Sequence, residues 1–151
     1  MKRTGVLAAI PEQPRERLLA LSREVSFDAG TRLFEEGGRA DRFWIVRSGN
    51  VALDIHVPGR RAAAVETLGP GRMVGWSWLC PPHRWHLGAE AMSPVRAWEF
   101  DAAQVLELCE RDHELDHALL MYVVEVIGRR LRAARTRLLD LYGPYGSGSP
   151  G

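Results

Sequence analysis

The sequence predicts a mainly β chain, a sandwich, roll or barrel with helices at both ends. Three observations carry this expectation. From Val25 to Phe100, short β-rich runs are punctuated by glycine and proline. A charged segment holding three leucines precedes them, and two segments of helical spacing follow. The length of 151 residues suits one domain.

Residues 1–11 read as an N-terminal arm. Its opening, "MKRTGVLAAIPEQP", has two basic residues and a short apolar run that Pro11, Glu12 and Pro14 cut short, so it makes a poor signal peptide. Residues 12–23 place Leu18, Leu19 and Leu21 among charges and predict a short amphipathic helix. About eight strands follow. Ser48-Gly49-Asn50 reads as a tight hairpin, and Gly69-Pro70-Gly71 marks another reversal. Asp101 is placed to cap a helix over 102–111. A second helix is expected from about Asp112–Glu114 to Tyr142, where Gly143 and Pro144 should stop it. The domain then covers 12–142, and the Gly/Ser/Pro-rich residues 143–151 form a disordered tail.

Composition excludes several classes. The net charge of +1 offers no global field for nucleic acid, and Lys2 is the only lysine. No apolar stretch approaches the ~20 residues that span a bilayer. Cys80 and Cys109 form neither a CxxC pair nor a disulfide framework, which fits a reducing cytoplasm.

In the last helix Leu120, Val124, Ile127, Leu131, Ala134, Leu138 and Leu141 are spaced 4, 3, 4, 3, 4, 3. That is an a/d seam, and it predicts a parallel homodimer through the C-terminal helix. Leu119, Val123 and Val126 add a second apolar face in the first half only. The arginines from Arg129 to Arg137 read as the solvated side of this helix.

The stretch Phe27 to Leu53, "FDAGTRLFEEGGRADRFWIVRSGNVAL", resembles the opening of the cyclic-nucleotide-binding domain family. Gly30, Leu33-Phe34, Gly37 or Gly38, the pattern Phe43 to Val46 and Gly49 carry the likeness. "LGPGRMVGWSWL" is similar to the approach to that family's phosphate-binding cassette, and "EFDAAQVLEL" with the long helix to its closing helices. The resemblance covers about residues 12–142. It implies a double-stranded β-helix or jelly-roll with flanking helices, as in the sensor domains of catabolite-activator-type regulators. It also implies a regulatory role without catalysis. Those regulators carry a helix-turn-helix domain after the long helix; nine residues follow Tyr142 here, so a sensor module without that half is expected.

The segment "GWSWLCPPHRWH", Gly75 to His86, holds three of the five tryptophans. The resemblance implies a turn here whose N–H groups face a cyclic phosphate, a glutamate for the ribose and an arginine for the phosphate. Trp76 stands at the glutamate's place. Trp85 stands at the arginine's, with Arg84 one residue off and therefore on the opposite strand face. Ordinary cyclic-nucleotide binding should be weak, and no cofactor is expected. The candidate ligand-binding residues are Gly75, Trp76, Ser77, Trp78 and Leu79, facing Arg84, Trp85 and His86. They suit a small planar or anionic ligand. Alternatively the indoles plug the roll, and the chain acts as a ligand-free interaction or dimerisation module, with a separate protein as partner.

"HELDH", His113 to His117, matches H-E-x-x-H, the signature of a zinc hydrolase. No downstream histidine offers a third ligand, and Asp and Glu suit a helix start. That reading stays remote. Cys80, His83 and His86 invite a haem or zinc reading, but no fourth ligand stands near, so no metal is expected and Cys80 reads as a buried, inert thiol.

Overall fold

Strands whose apolar residues alternate sort into two four-stranded antiparallel sheets. The structure, a computed structural model, describes residues 5–59 and 62–146. The strands are β1 (Arg23–Phe27), β2 (Arg32–Phe34), β3 (Arg42–Ser48), β4 (Val51–Ile55), β5 (Ala63–Leu68), β6 (Met73–Val74), β7 (Gly88–Ala91) and β8 (Val95–Asp101). One sheet has the order β1-β8-β3-β6 and the other β2-β7-β4-β5. Consecutive strands fall in different sheets repeatedly, which is the jelly-roll pattern.

In β3 the run Phe43 to Val46 is buried throughout, so this strand is covered on both faces. Register pairs Trp44 with Glu99 and Val46 with Ala97 on one face, and Phe43 with Phe100 and Ile45 with Trp98 on the other. The second face is covered by α2 (Ala102–Arg111), which packs on β3 and β8 and buries Ala102, Val105, Leu108 and Cys109. Asp101 caps α2, its carboxylate accepting from Gln104 N at 3.1 Å.

Ser48-Gly49-Asn50 is not the hairpin its composition predicts. β3 and β4 lie in different sheets, and the turn carries the chain from one to the other. It is fixed to the 92–94 turn instead: Asn50 N donates to Ser93 Oγ at 3.0 Å and Met92 N to Asn50 O at 2.9 Å. Gly49 has φ +90°, and a Cβ there would overlap the carbonyl oxygen of Pro94. Close approach to that second turn, rather than β-hairpin twist, is what demands the glycine.

The second sheet has a clamp that sequence pattern did not reveal. Arg32 on β2 reaches across β7 to buried Asp54 on β4, with Nη1–Oδ2 at 2.5 Å and Nη2–Oδ1 at 3.1 Å. Glu35 and Glu90 also accept from it. Its bonds to Asp54, then Glu35, hold the guanidinium further into its charged form, against burial. The crossing passes over Gly88, where a Cβ would collide with both partners.

The helix expected over 12–23 is shorter. α1 spans Glu12–Leu19, and Arg23 is already in β1. Ser22 Oγ donates to Leu19 O at 2.6 Å, and pairing with β8 claims the following residues. Within the arm, Leu7–Ala9 form a 3-10 turn; Val6 and Ile10 are buried and Val6 N donates to Gly71 O at 2.9 Å.

The last helix, α3, runs His113–Gly146, one turn past the stop expected at Tyr142. Pro144 gives up only its own N–H bond, and so near a terminus little helix depends on it. The tail expected over 143–151 thus begins in helix; residues 147–151 lie outside the described residues. The chain divides into two compact units, one through Ala118 and one from Leu119 onward.

Asp112 joins α2 to α3. Its N–H bonds Leu108 O at 2.8 Å, closing α2, and its Oδ1 accepts from Leu115 N at 3.1 Å, opening α3. Arg17 of α1 completes the joint at 2.6 Å. Burial pushes the Asp112 carboxyl upward. The Leu115 N–H and the Arg17 bond and charge outweigh it and hold it below its ordinary 3.8. A depressed folded pKa contributes stability above the unfolded value, lost as pH falls through the folded one. We therefore expect D112N, which keeps a capping oxygen, to cost about 1 kcal/mol at neutral pH. That deficit should vanish on acidification below 3.8, as read by urea titrations at stepped pH.

Candidate functional site

An aromatic stack fills the interior of the roll. Phe34 of β2 lies face to face with Trp85, ring centroids 3.9 Å apart and planes 13° apart. Trp44 extends the stack, 5.8 Å from Phe34 and 6.4 Å from Trp85, and Phe27 meets Trp44 edge-on at 6.3 Å. Trp85 is only 5% exposed. Both its backbone N–H and its C=O are held by the turn after β2: Trp85 N donates to Gly38 O and Gly37 N to Trp85 O, both at 2.8 Å.

Gly75 opens the cassette-like segment with φ +90°, and the Trp85 ring lies directly against it. A Cβ at residue 75 would overlap that ring. The space over Gly75 is therefore already occupied by carbon.

The other candidate residues take four separate placements. Trp78 is 1% exposed and faces the opposite way, stacked on Phe43 at 4.2 Å beside α2, with its Nε1 donating to Gly75 O at 3.2 Å. Leu79 ends the 3-10 turn Ser77–Leu79 and is half-buried. Trp76 is half-buried and stacks on exposed His86 at 5.5 Å, and Ser77 Oγ lies 2.9 Å from His86 Nδ1. These three form a small polar–aromatic cluster. Arg84 is exposed and turned away, its Nη1 donating to Gly37 O at 3.1 Å. Its backbone pairs with Arg39 in an isolated antiparallel bridge.

The thiol expected to be buried is not: Cys80 is exposed, since the chain leaves the 3-10 turn there for the Pro81-Pro82 loop, while Cys109 is the buried one. Burial raises the Cys109 thiol to about 11, with Asp116 and Asp112 adding to it, so it stays protonated. His113 and His117 are exposed at the start of α3. Among the described residues no three His, Cys, Asp or Glu side chains stand close enough to hold a metal ion. No helix of the described chain is long and apolar enough to cross a membrane.

The two apolar faces of α3 differ in exposure. Leu119, Val123 and Val126 are buried, while Leu120, Val124, Ile127, Leu131, Ala134, Leu138 and Leu141 are exposed. Phe34 is the functional neighbour that sequence reasoning passed over. It was visible within Leu33-Phe34, but its contact crosses from β2 to residue 85, a pairing no local spacing announces.

Comparison with known proteins agrees with this architecture. Residues 24–112 match the family described as cyclic nucleotide-binding domain. A CRP-like cAMP-activated global transcriptional regulator of Mycobacterium tuberculosis is 27% identical over 141 residues, covering 93% of this chain and 61% of that protein. The chain thus spans about three fifths of that relative. The N-terminal domain of a transcriptional regulator from Streptomyces coelicolor has TM-score 0.68 and 26% identity, covering 87% of this chain and 91% of that one. A cyclic nucleotide-binding domain from Methylobacillus flagellatus has TM-score 0.78 at 15% identity, covering 89% of this chain and 79% of that one, a likeness of fold.

Two substitutions test the packing. G75A should destabilise by about 2–4 kcal/mol, from an unfavourable φ and an overpacked ring. W85A should cost about 3–5 kcal/mol through the cavity it leaves. Denaturant melts measure both; a loss under 1 kcal/mol in each would refute the stack.

Proposed function

Because the chain belongs to the cyclic nucleotide-binding domain family, we propose that it is a regulatory module whose nucleotide cavity is closed by its own Trp85, acting through helix pairing rather than through a captured cyclic nucleotide. The observation that carries this reading is the Trp85 ring, stacked on Phe34 and pressed against Gly75. A ligand entering there must first expel that ring. Expulsion costs about 3–5 kcal/mol, two to four orders of magnitude in affinity. Trp76 supplies no carboxylate for a ribose hydroxyl, and Arg84, bonded to Gly37 O, offers no inward cation for a phosphate. The module has no catalytic role in this reading and works in the cytoplasm.

A second reading rests on the half-buried Trp76 with His86 and Ser77. A small planar or anionic ligand could lie against that indole without displacing Trp85.

The output element is α3. Its exposed stripe Leu120, Val124 and Ile127 supports a homodimer seam; the same a/d spacing runs on, also exposed, through Leu131, Ala134, Leu138 and Leu141. Burying a fully exposed leucine-sized side chain contributes about 1.5–3 kcal/mol, which several seam residues together set against the about 4–15 kcal/mol that association costs.

Two measurements bear on this. Calorimetric titration with cyclic AMP and cyclic GMP should give no saturable heat for the wild-type chain. The variant W76E/W85R, once its melt shows it folded, should gain it. Wild-type binding tighter than about 10 µM sinks the closed-cavity reading. Light scattering should give a dimer for the wild type and a monomer for V124D/I127D.

A further inference from the structure

Along α3 the seam residues occupy a and d positions of successive heptads, with Leu120, Ile127, Ala134 and Leu141 at d and Val124, Leu131 and Leu138 at a. The flanking e and g positions change character halfway. Near the start they are Met121, Val123 and Gly128; further on they are Arg130, Arg135 and Arg137. No carboxylate holds an e or g position in that distal half, since Asp140 falls at c. The distal seam is open: Leu131 is 66% exposed, Leu138 53% and Leu141 67%.

Identical helices pair badly over such a stretch. In a parallel pair a g residue faces the e residue of the next heptad, so Arg130 would meet the second copy's Arg135. In an antiparallel pair g faces g and e faces e, and arginine again meets arginine. Like charges at these positions select against self-pairing, while opposite charges select a partner.

We propose that the distal half of α3, Arg130 to Leu141, docks a helix of a different chain, one with apolar a and d residues flanked by glutamate or aspartate. The proposal takes from the previous section that α3 is a pairing helix; it adds the partner and does not depend on the homodimer. The neutral flanks of Leu120 to Ile127 leave the proximal half free to self-pair. Arginine suits the distal role because its stem covers apolar surface while its head reaches a carboxylate as a fork. The apolar stripe is two positions in seven, the width of a coiled-coil seam and narrower than the face a lipid-bound helix buries.

The test titrates the full chain into a labelled synthetic helix with leucine at a and d and glutamate at e and g, followed by anisotropy. Saturable binding that weakens as salt rises is expected. R135E/R137E should weaken it roughly tenfold or more, and the same variant should self-associate more strongly by light scattering. V124D/I127D should keep peptide binding. If the wild type proves monomeric yet binds the peptide, the homodimer reading alone fails. The proposal is overturned if the glutamate peptide does not bind up to about 100 µM, or if a lysine-flanked peptide binds equally well. It is likewise overturned if phosphatidylserine vesicles or duplex DNA bind in the peptide's stead.

Discussion

The contact of Trp85 with Phe34 and Gly75 constrains everything else about the roll interior. A flat indole 3.9 Å from a parallel phenyl leaves no gap for a third layer. Once that ring is seated, Gly75 must stay a glycine, because any side chain would occupy the same volume. The turn at Gly37 and Gly38 must stay close, because it bonds both the N–H and the C=O of residue 85. The arginine next door is forced outward by strand alternation, since adjacent side chains point to opposite faces. One bulky residue at one inward position thus decides the orientation of its neighbours and the content of the cavity.

The rest of the body is arranged to hold this interior still. Asp54 and Arg32 tie β4 to β2 across β7, a part-buried ion pair in which loss of Arg32 would strand the buried Asp54 charge. Trp78 and Phe100 sandwich Phe43 on the far face, at 4.2 and 4.8 Å, and so fix β3 from behind. Trp44 is itself tethered, its Nε1 donating to Glu99 at 3.0 Å. Aromatic rings on both faces of β3 explain why that strand reads as an unbroken apolar run.

Much of this was legible in the sequence, and the failures are instructive. The β texture, the Asp101 cap and the two faces of the last helix follow from local chemistry, in which a residue's neighbours in sequence are also its neighbours in space. The opposed orientation of Arg84 and Trp85 followed from strand alternation alone. The turn at Gly49 was misread because its glycine answers to Pro94, a distant partner, and not to the twist of a hairpin. Cys80 was misread because residue type favours burial while a proline-bounded loop does not. The Arg32–Asp54 clamp left no trace at all: nothing near Gly88 signals that two charged side chains cross above it. The division of labour among the tryptophans was equally hidden. Trp78 and Trp85 lie seven residues apart yet serve opposite faces of one sheet.

A hollow stoppered from within has a thermodynamic corollary. Small molecules raise the melting temperature of a receptor by adding their binding free energy to the native state. With an indole as permanent tenant, that lever is gone for any solute needing the same volume. If α3 pairs as proposed, association remains adjustable from outside, and its balance shifts with how many copies the cell makes. Expression level would then take the place that a diffusible messenger holds elsewhere.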